Sequence, residues 1–175
     1  MLNTEITVKS EKIFEGKIVN LRVDTVELNN QKYAKREIVE HKNAACILAV
    51  NENSKILLVR QYRKAIEEFI YELPAGILNI AEEPQEGALR ELEEETGYFA
   101  GKIELIYEFY TSPGFSNEKV YLFEAKDLVF KSTNFDEDEC IETIEVTKEE
   151  AIKMLETGRI TDSKTLIGLM HWLHS

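Results

Sequence analysis

Apolar and polar residues alternate along the first part of the chain, as they do in a strand with one buried face. Residues 16–41 contain two such stretches, KIVNLRVDTVEL and KYAKREIVE, which are separated by Asn29 and Asn30. Alternation with a period of two predicts strands, and asparagine favours the turn between them. We therefore predict a hairpin-like unit with polar flanks.

Two continuous apolar runs follow this unit. AACILAV (residues 44–50) and KILLVRQY (55–62) are joined by the polar stretch NENS (51–54). Short apolar runs bounded by turn residues are typical of buried strands. We expect both runs to be central strands of a sheet.

The pattern becomes helical after YELPAG (71–76). Proline is favoured in the first turn of a helix and glycine just past its end, so Pro84 and Gly97 predict a helix from Pro84 to Thr96. KIELIYEFYTS (102–112), KVYLFEAKDLVF (119–130) and IETIEV (141–146) again indicate strands, and PGFSNE (113–118) a turn.

The last part of the chain carries apolar residues at helical spacing, which predicts packing helices within residues 148–160 and 163–175. These apolar residues are Ile152, Leu155, Leu166, Leus at 169 and 173, and Met170. Strands with one helix among them and helices at the end favour an α+β or α/β/α layered domain.

Composition narrows the class of protein. The chain has 175 residues, which suits one domain, or one domain with a small appendage, and a formal net charge of −12. This charge opposes nonspecific binding to nucleic acid or to an anionic membrane, so we expect neither partner. Residues 1–14 lack a continuous apolar segment, and Cys46 lies in an apolar run typical of a reduced core thiol, so we expect a cytoplasmic protein.

Four carboxylates between Glu91 and Glu95 crowd the predicted helix. At about 100° per residue, Glu91, Glu94 and Glu95 converge while Glu93 points elsewhere. Three oxygen ligands suit Mg²⁺, and the preceding Arg90 can orient them. An acidic helix by itself is more often a solvated surface, so spacing alone leaves both interpretations open.

The order of residues around these acids is more specific. Gly76, five residues, Glu82, seven residues, then REL, one residue, EE, one residue and Gly97 resembles the Nudix box in every fixed position. Tyr98 stands where the family usually has an aliphatic residue, and the turn NIA (79–81) lacks the Glu-Pro-Gly often found there. Five further motifs resemble the ADP-ribose pyrophosphatase branch: REIVEH (36–41), QYR (61–63), ELPAG (72–76), SPGFSNE (112–118) and DEDE (136–139).

The resemblance implies a fold and a reaction. It implies a Nudix-fold α/β/α sandwich with a mixed sheet in residues 42–175. Residues 1–41 would form an antiparallel strand unit that serves dimerisation and substrate contacts, so we expect a homodimer. The implied reaction is hydrolysis of ADP-ribose to AMP and ribose 5-phosphate with Mg²⁺, for which Mn²⁺ could substitute.

The resemblance also assigns the metal site. Glu91, Glu95 and the carbonyl of Ala75 match metal ligands, and Glu94 matches a ligand or the residue that orients one. Arg90 positions the acids and, with Glu94, belongs to the catalytic set. Three residues have structural roles in the motif: Gly76, Glu82 and Gly97. Glu82 could equally be a charge that the dipole of the helix favours near its first turn.

The general base is expected outside the box. In this branch the general base comes from a loop away from the box. The candidate for that loop in this chain is the acidic cluster before Ile141. We favour Glu137 as the base and Glu139 as a further metal ligand, although a shift of one residue would exchange these roles.

Substrate contacts are assigned in the same way. Arg36, Glu37 and Arg63 match positions that contact substrate in the branch. Two further residues are candidates for substrate binding: Pro113, which shapes a loop near the nucleoside, and Phe14, which could stack on adenine. Arg36 and Glu37 could instead form a surface pair, and Phe14 or Tyr33 could simply pack in the sheet.

Two other functions stay open. One is a pyrophosphatase with a broader range of nucleoside diphosphate sugars or dinucleotides. The other is a sensor that binds ADP-ribose without cleaving it, although such proteins tend to have a degraded box or an added DNA-binding domain, and this sequence shows neither.

Overall fold

The computed structural model of the protein describes residues 4–131 and 141–175. Within these ranges ten strands and three helices follow one another along the chain. The elements are β1 (Ile6–Glu15), β2 (Val19–Glu27), β3 (Tyr33–His41), β4 (Ala44–Ala49), β5 (Ile56–Arg63), β6 (Glu68–Glu72), β7 (Ala75–Ile77), α1 (Pro84–Thr96), β8 (Tyr98–Tyr110), β9 (Lys119–Phe130), β10 (Glu142–Val146), α2 (Lys148–Glu156) and α3 (Ser163–His174). No helix in the described part of the chain has the length and apolar character needed to cross a membrane.

The described residues divide into two compact units. The N-terminal unit combines the chain up to Asn43 with Tyr110–Lys119, and the larger unit contains Ala44–Phe109 and the chain from Val120 onward. In the N-terminal unit, β1, β2 and β3 form an antiparallel sheet in that order. The segment after β8 joins this sheet through hydrogen bonds from Val39 N to Phe115 O (2.8 Å) and from His41 N to Asn117 Oδ1 (2.9 Å).

The larger unit contains a mixed sheet with the strand order β7-β4-β9-β8. Strand β4 runs parallel to β9 and antiparallel to β7. A further sheet has the order β10-β5-β6, with antiparallel pairing on both sides of β5.

Strand β4 separates two apolar layers because successive side chains point to opposite faces of a strand. Cys46 and Leu48 belong to a cluster that contains residues of α2 and α3, among them Met154 and Trp172. Ile47 lies in the other cluster. That second cluster contains Ala88 and Leu92 of α1. Helices therefore cover both faces of the mixed sheet, which confirms the predicted layered sandwich.

Helix boundaries follow from local chemistry. Helix α1 spans the predicted residues, with Pro84 in its first turn and Gly97 in the left-handed conformation (φ 74°), whose N–H donates to Glu93 O. Helix α2 starts with a capping box between Thr147 and Glu150. In α3 the Asp162 carboxylate caps the first turn by accepting a hydrogen bond from Thr165 N (2.9 Å).

The structure corrects several expectations from the sequence. The hairpin predicted for residues 16–41 is confirmed as β2 and β3, but a further strand, β1, pairs with β2 along its length, so the N-terminal unit is a three-stranded sheet. Strands β4 and β5 are each central, but in different sheets. Ile152 and Met170 were expected to pack, yet they are 44% and 51% exposed, because the buried faces of their helices are formed by neighbouring residues such as Ala151 and Leu169.

Candidate active site

The acidic helix α1 borders a cleft of about 300 Å³ in the larger unit. The residues that line the cleft come from β5, β7 and α1: Gln61, Arg63, Ala75, Gly76, Ile77, Arg90, Glu91, Glu94 and Glu95. Three of the four acids therefore share the cleft, and Glu93 lies outside it. This distribution agrees with the angular spacing of residues on a helix.

The carboxylate of Glu91 packs directly on the backbone of Gly76. A Cβ atom on residue 76 would lie 2.1 Å from Glu91 Cδ and 2.2 Å from both carboxylate oxygens. Gly76 is held in register by its pairing with Ala45 of β4. The glycine of the motif thus makes room for a carboxylate at the edge of the cleft.

Arg90 connects the acids of this region. Its Nη1 donates to Glu91 Oε1 and to Glu94 Oε2, each at 2.7 Å. Its Nε and Nη2 donate to the two carboxylate oxygens of Glu82, at 2.8 and 3.1 Å. One planar guanidinium therefore offsets the repulsion among three carboxylates and fixes their orientation.

Glu82 acts through Arg90 in this structure. The hydrogen bond from Arg90, together with that from Asn79 N (2.7 Å), lowers the pKa of Glu82 to about 2. The same hydrogen bond from Arg90 to Glu82 is the largest effect on the pKa of Arg90. It raises this pKa above the ordinary value, although burial acts in the opposite direction. Glu82 is thus an anchor for the guanidinium, in keeping with a structural role in the motif.

Glu95 is the most buried acid of the cleft, with 5% of its surface exposed. Its Oε2 accepts a hydrogen bond from Ala75 N at 2.9 Å. This contact places the Glu95 carboxylate beside the residue whose carbonyl is a predicted metal ligand.

Arg63 enters the cleft from the end of β5. Its Nε and Nη2 donate to Glu72 Oε2 and Oε1, at 2.7 and 3.1 Å. Burial lowers the pKa of Arg63, but the hydrogen bond and the negative charge of Glu72 outweigh this effect, so that its pKa lies above the ordinary value. Arg63 is therefore a fixed positive charge next to an acidic cleft.

Comparison with known proteins identifies the family. The model of the NUDIX domain matches residues 40–167, and the model of the nucleoside diphosphate sugar hydrolase N-terminal domain matches residues 5–39. The chain belongs to the Nudix family. The box seen in the sequence is thus part of a Nudix domain that covers most of the chain.

Individual relatives extend over nearly the whole Nudix chain. An ADP-ribose pyrophosphatase of Bacillus subtilis strain 168 is 48% identical over 169 residues, which is 95% of this chain and 91% of the relative. A methanol dehydrogenase activator of Bacillus methanolicus is 47% identical over 169 residues, with the same coverage of both chains. A crystal structure of an ADP compounds hydrolase superposes with a TM-score of 0.89, covering 99% of this chain and 96% of that one, at 20% identity. The last similarity confirms the fold.

The donors of this Nudix cleft suit a divalent cation. Carboxylate oxygens of Glu91, Glu94 and Glu95 and the backbone of Ala75 line it together, and hard cations prefer such oxygen ligands. Within residues 4–131 and 141–175, no three His, Cys, Asp or Glu side chains are grouped as a ready metal site. Arg90 Nη1 bonds one carboxylate oxygen of Glu91 and one of Glu94, and because a carboxylate has two acceptor oxygens these bonds are compatible with metal binding.

The other predicted substrate residues lie in the N-terminal unit. Arg36 pairs with the carboxylate of Glu5, to which its Nε donates at 2.9 Å, so its ion-pair partner is not the neighbouring Glu37. Phe14 on β1 is 55% exposed. Pro113 lies in the turn where Phe115 N bonds Ser112 O (3.1 Å). The substrate roles of these residues stay predictions.

The predicted base and additional metal ligand, Glu137 and Glu139, lie outside the described residues. Their roles also stay predictions.

Sequence reasoning missed the residues behind Arg63. Glu72 belongs to the ELPAG motif, which gives it no role, and Asp162 and Lys164 lie in none of the motifs named above. One signal was available: in EFIYE the alternation of a strand places Glu72 on the same face as the apolar Ile70, which is buried. No comparable signal marks Lys164, because its contact with Glu72 joins residues 92 positions apart.

Proposed function

We propose that this Nudix enzyme hydrolyses the pyrophosphate bond of ADP-ribose and releases AMP and ribose 5-phosphate, with Mg²⁺ as the metal. The observation that carries the proposal is the cleft that Glu91, Glu94 and Glu95 line together with Arg63. A diphosphate needs both features, since the acids hold cations and an arginine fork pairs with phosphate oxygens. The relative that is 48% identical, an ADP-ribose pyrophosphatase, supports the choice of substrate.

The residues of the chain divide the chemical work. Glu91, Glu95 and the Ala75 carbonyl would hold Mg²⁺, with Glu94 as a further ligand or as the group that orients one. When bound, Mg²⁺ neutralises phosphate charge and lowers the pKa of a coordinated water. Arg90 keeps the acids in position, and Arg63 binds the diphosphate. Glu137 or Glu139 takes a proton from the attacking water as the bond between phosphorus and the bridging oxygen breaks.

In this proposal the N-terminal unit forms the interface of a homodimer and contributes contacts to the substrate. Its support is the exposure of four apolar side chains on β1, namely Ile6, Val8, Ile13 and Phe14, since exposed apolar surface of this kind marks an interaction site. Sedimentation at micromolar concentration tests this point, and a monomer would contradict it. The buried thiol of Cys46 suits the cytoplasm, where we place the reaction.

The test of the reaction is AMP release from ADP-ribose with Mg²⁺ and, in parallel, Mn²⁺. Wild type is compared with Glu94→Gln and Glu95→Gln, and Glu93→Gln is the matched control because Glu93 belongs to the same helix but lies outside the cleft. We expect activity to be lost in the first two variants and kept in the control. Equal rates in all four proteins would refute the proposal.

A broader nucleoside diphosphate sugar hydrolase is the second candidate. The match of residues 5–39 to the N-terminal domain of such hydrolases favours it. Ranking ADP-ribose, GDP-mannose, UDP-glucose and a dinucleotide by kcat/KM distinguishes the two. Tight binding of ADP-ribose without cleavage of any of these compounds would instead identify a sensor.

A further inference from the structure

A network of four charged side chains lies behind the cleft. We call it the Glu72 network: Arg63, Glu72, Asp162 and Lys164. Glu72 accepts two hydrogen bonds from Arg63 and one from Lys164 Nζ, at 2.6 Å. Lys164 Nζ also donates to Asp162 Oδ1 at 2.9 Å. Two cations and two anions thus alternate from the cleft to the start of α3.

The burial of Glu72 shows that this network is held tightly. Only 2% of Glu72 is exposed, and a carboxylate removed from water is tolerated only with charged partners and several hydrogen bonds. Lys164 is also largely buried, with 16% of its side chain exposed. Arg63, at 42%, is the member that reaches the cleft.

The backbone around Glu72 is fixed by the same cap that holds Lys164. Asp162 Oδ2 accepts hydrogen bonds from the backbone and the hydroxyl of Thr165, at 2.9 and 2.7 Å. The Thr165 hydroxyl oxygen in turn accepts from Leu73 N, the residue after Glu72, at 2.9 Å. The first turn of α3 therefore grips the end of β6 through both a side chain and the main chain.

This arrangement fixes the plane of the Arg63 guanidinium. A two-point contact through Nε and Nη2 removes rotational freedom, and an arginine has five N–H donors, so three are not used by Glu72. Lys164 supplies a second positive charge to Glu72, and Arg63 therefore keeps more of its attraction for an anion than it would in an isolated pair. A guanidinium that is fixed in orientation and is only partly neutralised by its carboxylate partner suits the binding of a diphosphate.

We propose that Glu72 and Lys164 are positioning residues for the diphosphate of the substrate: they orient Arg63 and leave its remaining donors and its charge to the phosphate oxygens. This inference rests on the proposed function, in which Arg63 binds the diphosphate. It adds Glu72 and Lys164, which are 92 positions apart in the sequence and do not line the cleft, to the residues that determine substrate binding.

The test is a double-mutant cycle between Glu72→Gln and Arg63→Met. In Glu72→Gln, Lys164 keeps its bond to Asp162, and in Arg63→Met, Glu72 keeps its bond to Lys164. Neither variant therefore leaves a buried charge without a partner. The measurements are kcat and KM for ADP-ribose, and Kd for its α,β-methylene analogue, in which the bridging oxygen is replaced and hydrolysis is blocked. We expect Glu72→Gln to raise KM and Kd about tenfold, as is typical when an orienting partner is lost, and to change kcat by less than about twofold.

The decisive result is the second step of the cycle. In the Arg63→Met background, Glu72→Gln should have no further effect on Kd, because the residue it orients is gone. Effects that multiply would show that Glu72 acts independently of Arg63 and would overturn the inference. An equal loss of Mn²⁺ affinity in Glu72→Gln would also overturn it, because the effect would then be a general distortion.

Lys164→Met provides a second variant in case Glu72→Gln does not fold. It should weaken binding of the analogue in the same direction, whereas Lys126→Met should leave it unchanged. Lys126 is a matched control because it bonds Glu124 at 2.7 Å and does not line the cleft. Equal affinities in wild type and Lys164→Met would contradict the role of Lys164.

The outcomes separate this inference from the proposed function. A wild type that binds the analogue but does not cleave ADP-ribose would refute the reaction, while the Kd cycle would still decide the inference. An active wild type with independent effects of the two substitutions would refute the inference alone. A wild type that does not bind the analogue would refute both.

Discussion

The carboxylate of Glu91 occupies the space that a side chain on Gly76 would need. The 2.1 Å separation between Glu91 Cδ and a Cβ atom built at residue 76 is far below any real contact. Both residues are fixed by other contacts, since Gly76 pairs with β4 and Glu91 accepts a hydrogen bond from Arg90. The glycine and the acid are therefore one geometric unit, although fifteen positions in the sequence separate them.

Gly76→Ala should displace Glu91 from the cleft. We expect the affinity for Mn²⁺ to fall about tenfold or more, as for other changes that misorient a metal ligand, while the protein still folds. Calorimetric titration measures the effect. Gly114→Ala is the matched control, because a Cβ atom there meets nothing within 4 Å. Unchanged metal affinity in Gly76→Ala would show that Glu91 is not a ligand.

Arg90→Lys should reduce activity although it keeps the positive charge. A lysine has no planar fork, so it cannot bond Glu82, Glu91 and Glu94 together as Arg90 does. We expect a loss of about 10- to 100-fold in kcat/KM, the range found for residues that orient metal ligands. Wild-type kinetics in this variant would mean that the acids keep their positions without the guanidinium.

Glu82 should contribute a pH-dependent part of the stability. Its pKa is about 2 in the folded protein against an ordinary value of 4.5, so the folded state binds fewer protons between these values. The contribution is complete above pH 4.5 and is lost as pH falls toward 2. Thermal unfolding against pH should therefore be less steep in this window for Glu82→Gln. The control is Glu104→Gln, at an exposed position on β8; parallel curves for wild type and Glu82→Gln would contradict the assignment.

The acidic stretch DEDE should contain the general base. Glu137→Gln should lower kcat by about 10²- to 10⁴-fold and leave the affinity for Mn²⁺ unchanged, since a base acts on the water and not as a ligand. Glu139→Gln should lower both quantities if Glu139 binds metal. Asp136→Asn and Asp138→Asn are neighbouring controls that reveal a shift of one residue in the assignment. Full activity in all four variants would place the base elsewhere.

Local signals explain what could be predicted about the fold. The helix Pro84–Thr96 has its proline, its glycine and its apolar stripe within one short segment, and the structure reproduces its bounds. Alternation likewise gave β2 and β3. The assignment of β4 and β5 to different sheets depends instead on pairing with β9 and β6, which the turn between them does not encode.

The same distinction applies to the candidate site. The acids on α1 could be grouped from helical spacing alone, and Arg90 from its place beside them. Glu72 and Lys164 could not be paired, because their contact forms only when α3 packs against the end of β6. A resemblance to known motifs drew attention to ELPAG but did not say what its glutamate contacts.

The N-terminal unit is assembled from two separate stretches of the gene product. Its third strand bonds the segment 115–117 through Val39 and His41, yet the whole stretch Ala44–Phe109 of the larger unit intervenes along the chain. A single genetic crossover near residue 43 would exchange the strands but leave behind the loop that completes them. Substitutions at positions 39–41 and at positions 115–117 should therefore co-vary among related enzymes. A chimera of two such enzymes needs two junctions in order to transfer this unit intact.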